Sequence, residues 1–103
     1  MTPAQFRSLA LKMPGAIESS HGGHPDFRAG KKVFATLGYP DKNWAMVKLT
    51  PEQQATVISA QPDIFSPAKG MWGKRGSTLL LLERTNLKTA SRVIAMAWNN
   101  VSQ

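Results

Sequence analysis

The sequence predicts a single small α+β domain, an antiparallel sheet with helices packed on one face. Its 103 residues fit one domain, because domains typically have about 100–200 residues. Two segments, which begin at Thr2 and Thr50, open with the same helix-start pattern. Residues 16–49 between them alternate apolar and polar side chains and contain turn-forming glycines, which is typical of a β-meander. The order helix, meander, helix, loop, strand, helix is that of an α+β fold.

The first helix is predicted over residues 3–13. Thr2 is the expected N-cap, Pro3 fits the first helical position, and Gln5 completes a capping box. Apolar residues follow at the spacing of one helix face: Phe6, Leu9, Ala10 and Met13. Pro14 and Gly15 end the helix.

The meander is predicted from a short strand at residues 16–20 to a strand at residues 43–49. We expect His21–Pro25 to be a loop, because two glycines and a proline are unfavourable in a central strand. A tight hairpin turn is expected at Ala29-Gly30, before a strand over residues 31–37. Residues 38–42 form a second turn.

The second half of the chain is predicted to hold two helices and one strand. Thr50, Pro51 and Gln53 start a helix that runs to about Ala60. The segment from Pro62 to Gly76 has no clean period and is expected to be an ordered loop, followed by a strand over residues 77–82. Thr85-Asn86 caps the last helix. Its predicted buried stripe contains Leu87, Ala90, Ile94, Ala97, Trp98 and Val101.

The two faces of the sheet are predicted to differ in composition. One face carries Val33, Ala35, Leu37, Ala45, Val47 and Leu49 and should meet the helices, because burying the lysines of the other set is costly. Phe34, Trp44 and Met46 are then expected on the opposite face, beside Lys32 and Lys48.

That second face has three possible roles. The 61–76 segment is the favoured cover, with Ile64, Phe65, Met71 and Trp72, since large exposed apolar patches are rare on monomers. Left open, the aromatic and basic face would stack on or clamp a ligand. It would also serve as a contact for an adaptor or a homodimer.

Composition excludes several classes of protein. There is no cysteine, so disulfides, thiolate metal sites and a cysteine nucleophile are excluded. Apolar runs such as Leu79–Leu82 are far shorter than the roughly 18 residues of a membrane span. The first residues lack the pattern of a secretory signal, and we expect a cytoplasmic protein with no membrane partner.

Charge is the strongest compositional signal. Thirteen Lys and Arg against six Asp and Glu give a net charge of +7. Basic domains are attracted to polyanions, which include nucleic acids, phosphorylated ligands and acidic membrane surfaces.

The segment from His21 to Asp26 brings two imidazoles and a carboxylate within six residues. A structural role is favoured, in which His24 and Asp26 hydrogen-bond the glycine turn and fix its shape. Contact with a ligand or a phosphate is the next alternative. A metal or catalytic site is the least favoured, because the chain has no cysteine and no third histidine.

Two basic segments are candidates for phosphate contacts. The run Lys69–Gly76 spaces three cations and Trp72 with glycines, which let backbone N–H groups approach an anion. The hairpin tip Arg28–Lys32 carries three cations within five residues, a device for clamping a phosphate backbone or for protecting an edge strand.

No catalytic motif is found. The Lys69–Gly76 run lacks P-loop spacing, and no serine has the setting of a nucleophile elbow. We therefore expect a protein that is not an enzyme and that uses no cofactor and no metal.

Five runs together resemble the MmcQ/YjbR family of small bacterial proteins. They are LKMPGA at 11–16, HPDFR at 24–28, KVFATL at 32–37, MVKLTPEQQ at 46–54 and WGKRG at 72–76. The resemblance implies a CyaY-like fold with a double-wing arrangement of hairpins, proposed to bind DNA. This chain has Gly22 where many relatives have a tryptophan after the first histidine.

The leading functional hypothesis is therefore a DNA-binding domain with weak sequence preference, a monomer or weak homodimer. Its phosphate contacts would be Arg28, Lys31, Lys32, Lys69, Lys74 and Arg75, with Trp72 stacking or wedging. The alternative is a small-ligand or anion pocket between the turn and the 69–76 segment. Its residues would be His21, His24, Asp26, Trp72 and Arg75. The position of the 69–76 segment discriminates the two: against the turn it makes a pocket, and projecting away it makes a wing.

Overall fold

Six strands and four helices make up the part of the chain that the computed structural model describes, residues 1–102. The strands are β1 Ile17–His21, β2 His24–Ala29, β3 Lys32–Leu37, β4 Trp44–Lys48, β5 Phe65–Pro67 and β6 Ser77–Leu81. The helices are α1 Pro3–Leu11, α2 Pro51–Ala60, α3 Gly70–Lys74 and α4 Leu87–Val101, with a 3-10 turn at Leu82–Arg84. The strands form one antiparallel sheet in the order β1-β2-β3-β4-β6-β5. The predicted α+β class is confirmed.

One face of the sheet is covered by α1 and α4. Both helices pack on β3, and α4 also packs on β4, while α2 packs beside β5 and β6. The core between these layers is fully buried, and the rings of Phe6 and Phe27 meet edge to face with their centroids 6.4 Å apart. Burying such aromatic side chains is among the largest apolar contributions to folding. Among the described residues, the opposite face of the sheet carries no comparable layer of helices.

The helix starts lie where the sequence predicts them. Thr2 Oγ1 accepts from Gln5 N at 3.1 Å, and Gln5 Oε1 accepts from Thr2 N at 2.9 Å. The same reciprocal pair joins Thr50 and Gln53. Both predicted capping boxes are confirmed, because each depends only on four consecutive residues.

The last helix begins at its predicted cap, with Asn86 Oδ1 accepting from Thr89 N at 2.8 Å. Ala90, Ile94 and Ala97 are buried as predicted, but Leu87 at the first helical position is half exposed. None of the helices within residues 1–102 is long and apolar enough to cross a membrane.

A bulge in β3 overturns part of the predicted face assignment. Phe27 pairs with Ala35, but the next residue, Arg28, pairs with Val33, so Phe34 is an extra residue in β3. A bulge of this kind breaks the two-residue alternation of side chains. Phe34 is therefore fully buried in the core, against the prediction, and Val33 lines a cavity on the open face. In β4 the prediction is correct, with Ala45 and Val47 buried in the core.

The predicted His21–Pro25 loop is instead a two-residue hairpin turn. His21 pairs directly with His24, and Gly22 and Gly23 both have positive φ, as such a turn requires. Pro25 is tolerated in β2 because it pairs only with β1, and pairing with β3 begins at the next residue. The next hairpin turns at Gly30 and Lys31, one residue later than predicted.

The segment from Pro62 to Gly76 is not a loop. It adds the edge strand β5 and the short helix α3. Ile64 and Phe65 are buried in the core rather than on the open face, so the predicted cover is limited to this segment's Ala68 and Trp72. Met71 is exposed.

Candidate functional site

A cavity of about 450 Å³ lies on the open face of the sheet. Its walls come from four strands, the β3–β4 turn and the 68–72 segment. The lining residues are His21, Arg28, Val33, Thr36, Tyr39, Met46, Lys48, Ala68 and Trp72. The lining is mainly apolar with a few polar groups, which is the usual composition of a small-molecule site.

Strand alternation explains how β4 contributes to this cavity. Because Ala45 and Val47 face the core, Met46 and Lys48 face the opposite side. On β3 the bulge has a similar effect, since it sets Val33 opposite Arg28 on the cavity side. A regular β3 would have directed Val33 to the helices.

A buried carboxylate holds two of the lining residues. Asp26 is fully buried, and it accepts hydrogen bonds from Arg28 Nε at 2.9 Å and Arg28 Nη2 at 3.0 Å. His21 Nδ1 lies 2.6 Å from Asp26 Oδ2. The hydrogen bonds from Arg28 hold the pKa of Asp26 below its ordinary value, against the opposing effect of burial, and His21 lowers it further. Asp26 therefore stays ionised and fixes the two side chains at one wall.

A second wall pairs a lysine with an indole. Lys48 Nζ lies 5.2 Å from the ring centroid of Trp72, within the range of a cation–π contact. The indole is 60 % exposed although it lines the cavity. Trp72 therefore has ring surface free to stack on a bound group at the mouth of the cavity.

Thr36 contributes an unsatisfied hydroxyl. Its side chain is 1 % exposed, and Oγ1 has no hydrogen-bond partner among the described residues. An unpaired buried polar group costs about 1–3 kcal/mol, so such groups are uncommon in native proteins. Thr36 itself lines the cavity, although its hydroxyl oxygen is buried in the free protein.

The two histidines have different surroundings. His21 lines the cavity, whereas His24 packs edge-on against the ring of Tyr39, with centroids 5.6 Å apart. Tyr39 lines the cavity, so His24 contacts a lining residue without lining the cavity itself. Within residues 1–102, no group of three His, Cys, Asp or Glu side chains is close enough to hold a metal ion.

The residues of the predicted ligand pocket are only partly brought together. His21 and Trp72 line the cavity, and Asp26 anchors one of its walls. His24 and Arg75 do not line it. The 69–76 segment is folded against the sheet, since Trp72 and His21 border the same cavity.

The residues predicted to contact phosphates lie in two groups. Arg28 faces the cavity, bound to Asp26. The other cations are exposed: Lys31, Lys32, Lys69, Lys74 and Arg75. Lys32 begins β3, while Lys48 ends β4 and pairs with the first residue of β6. The hairpin tip and the residues before β6 therefore lie toward the same end of the antiparallel sheet.

Several lining residues were missed by the sequence analysis. Alternation assigned Val33 to the helix-covered face, Thr36 was not singled out within its predicted strand, and Tyr39 was assigned only to a turn. Lys48 was placed on the open face but not in a site. The available signal was the pair Met46 and Lys48, which alternates along β4 with the small apolar residues Ala45 and Val47.

Comparison with known proteins agrees with the fold. The model of the YjbR family matches residues 11–100. A Deinococcus radiodurans protein structure with a DUF419 domain is similar with a TM-score of 0.83 at 15% identity, covering 99% of this chain and 79% of that one. A Pseudomonas syringae protein structure is similar with a TM-score of 0.72 at 18% identity, covering 98% and 99%. No curated protein matches the sequence. The family match extends over most of the chain, and the protein belongs to the YjbR family.

Proposed function

We propose that this domain binds a small anionic molecule in the cavity on the open face of its sheet. The observation that carries the proposal is the charge of the lining. Arg28 and Lys48 both line the cavity, and no acidic side chain of residues 1–102 does. An anion is therefore favoured over a neutral or cationic molecule.

Arg28 is prepared for such a contact. A guanidinium has five N–H donors, and Asp26 takes two of them. The salt bridge holds the guanidinium in place at the cavity wall, which lowers the conformational entropy lost on binding. Asp26 also offsets the charge of Arg28, so Lys48 supplies the uncompensated positive charge of the lining, while Arg28 contributes its remaining N–H donors.

Titration of the ¹⁵N-labelled protein with phosphate and with benzoate, followed by NMR, tests the proposal. We expect saturable amide shifts that cluster at Arg28, Lys48 and Trp72 for at least one of these anions. Lys48→Met should weaken binding roughly tenfold or more, since a charged hydrogen bond is lost. Lys88→Met on the exposed surface of α4 removes the same charge and should have little effect. Equal losses in both variants, or shifts scattered over all cations, would contradict the proposal.

DNA binding is the second candidate, favoured by the arrangement of the exposed cations. Lys31 and Lys32 at one hairpin tip and Lys74 and Arg75 before β6 lie toward the same end of the sheet. Cations grouped in this way neutralise neighbouring phosphates without reading bases. Weak sequence preference is therefore expected.

A short random-sequence duplex at low salt and at about 150 mM salt tests this candidate. If roughly four phosphates are contacted, log K should fall with log salt with a slope near −3.6. Replacing Lys74 and Arg75 by alanine should weaken binding to every sequence and flatten the slope. Unchanged affinity of that double variant in 100 mM salt would remove the assignment.

A further inference from the structure

We infer that the ligand of this cavity is an aromatic anion: a flat ring with a hydrogen-bonding edge at Thr36 and an anionic group at Lys48 and Arg28. This inference rests on the proposed anion-binding function and specifies the class of ligand. It is carried by three features of the lining, which are the exposed indole of Trp72, the unsatisfied hydroxyl of Thr36 and the backbone spacing of Thr36 and Lys48.

The apolar part of the lining requires more than a bare anion. Val33, Met46 and Ala68 line the cavity together with the exposed indole of Trp72. Phosphate or sulfate would reach the two cations but leave this apolar surface in water. A flat ring stacked on Trp72 would cover this apolar surface, and offset-stacked aromatic rings attract each other.

Thr36 requires a polar group on that ring. The residue is 1 % exposed and borders the cavity, and its buried hydroxyl has no partner among residues 1–102. We expect binding to turn this hydroxyl toward the ligand. A hydroxyl both donates and accepts hydrogen bonds. A ring oxygen, ring nitrogen or phenol at this position would satisfy it, whereas a plain hydrocarbon edge would leave it unpaired.

The backbone spacing of Thr36 and Lys48 fits a short ligand. Thr36 pairs with Met46, and Lys48 lies two residues further along β4, which corresponds to about 7 Å along the strand. One six-membered ring with substituents at opposite positions spans a similar length. A cavity of about 450 Å³ is in the lower half of the roughly 300–1,000 Å³ typical of ligand sites, which favours one or two rings.

Hydroxylated aromatic carboxylates and mononucleotides share this chemistry. The test therefore compares ligands in which one feature at a time is removed. 4-Hydroxybenzoate has an aromatic ring, a hydrogen-bonding hydroxyl and a carboxylate. Benzoate lacks the hydroxyl, 4-hydroxybenzamide lacks the negative charge, and phosphate lacks the ring. Adenosine 5′-monophosphate and adenosine form the nucleotide arm. Affinities are measured by calorimetry, and the site of binding by ¹⁵N NMR.

We expect 4-hydroxybenzoate or adenosine 5′-monophosphate to bind in the cavity roughly tenfold or more tightly than the analogue without the anion and than phosphate. The arm that binds more tightly identifies the carboxylate or the nucleotide source. If phosphate binds the cavity as tightly as either aromatic acid, the aromatic inference is wrong while the anion-binding function stands. If no anion perturbs the cavity, both are wrong.

Thr36→Val isolates the edge contact. In this variant 4-hydroxybenzoate should bind no more tightly than benzoate, while the affinity for benzoate is unchanged. Thr36→Ser keeps the hydroxyl and should restore the preference for 4-hydroxybenzoate. An equal loss for both ligands in Thr36→Val, or a preference that persists without the hydroxyl, would overturn the assignment of Thr36.

Discussion

The guanidinium of Arg28 donates two hydrogen bonds to the carboxylate of Asp26, from Nε to Oδ1 at 2.9 Å and from Nη2 to Oδ2 at 3.0 Å. The two residues lie two positions apart on β2, so both face the cavity side of the sheet. The carboxylate is fully buried, whereas the arginine side chain is 31% exposed. The pair therefore joins a buried carboxylate to the arginine that lines the cavity.

Asp26→Asn should lower the free energy of unfolding by about 1–3 kcal/mol, because charge-assisted hydrogen bonds to Arg28 and His21 are lost in a buried position. Chemical denaturation at pH 7 measures the change. Glu18→Gln is the matched control, since Glu18 pairs with Arg7 at 2.7 Å on the surface. Surface pairs contribute about 0–1 kcal/mol. A loss for Asp26→Asn no larger than for Glu18→Gln would show that the buried pair adds nothing to stability.

The same carboxylate predicts how stability depends on pH. The pKa of Asp26 is lowered from its ordinary value of 3.8, chiefly by the hydrogen bonds from Arg28. As pH falls below about 4 the unfolded state takes up the proton first, so the stability from this group is complete above that pH and is lost below it.

We therefore expect the difference in unfolding free energy between the wild-type protein and Asp26→Asn to be constant from about pH 5 to pH 7 and to shrink below about pH 4. Denaturation at a series of pH values tests this expectation. A difference that instead grows as the pH falls would mean that the folded state raises the pKa of Asp26.

How much the sequence predicted depends on whether the determining interactions are local. Both capping boxes and the Asn86 cap were predicted at the correct residues, because each is contained within four consecutive positions. The face of Phe34 was predicted wrongly, because the bulge that turns it into the core arises from pairing between β2 and β3. Val33 therefore could not be placed on the cavity side from alternation alone.

The 62–76 segment shows the same limit in another form. β5 exists only because it pairs with β6, and α3 is too short to have a period. Gln54 Nε2 lies 3.0 Å from the carbonyl oxygens of Gly73 and Ser77, so α2 holds this segment from a distance of about twenty residues. The sequence of residues 62–76 contains no pattern from which this contact with Gln54 could be predicted.

Gly73→Ala should displace α3 and with it Trp72. A Cβ at Gly73 would lie 1.8 Å from the carbonyl oxygen of Ala68, an overlap with backbone that cannot move freely. We expect a loss of several kcal/mol or a shifted helix, seen as a lower melting temperature and changed amide signals around the cavity.

Gly70→Ala is the control for that substitution. Gly70 has φ +65° but open space around its Cβ position, so alanine there should cost only about 1 kcal/mol of backbone strain. If Gly73→Ala lowered the free energy of unfolding no more than Gly70→Ala, then the close packing of α3 on Ala68 would not be what holds Trp72 at the cavity.

Thr36→Val should leave the free energy of unfolding unchanged or raise it by about 1 kcal/mol in the absence of ligand. Valine has nearly the same shape, and the hydroxyl it replaces is buried without a partner among the described residues. Thr78→Val is the matched control, because Thr78 is equally buried but its Oγ1 donates to Gly76 O at 2.8 Å and accepts from Gln54 Nε2 at 3.2 Å. That variant should lose about 1–3 kcal/mol. Chemical denaturation measures the free energy of unfolding of both variants. Equal losses would mean that the Thr36 hydroxyl already has a hydrogen-bond partner in the free protein and is not available to a ligand.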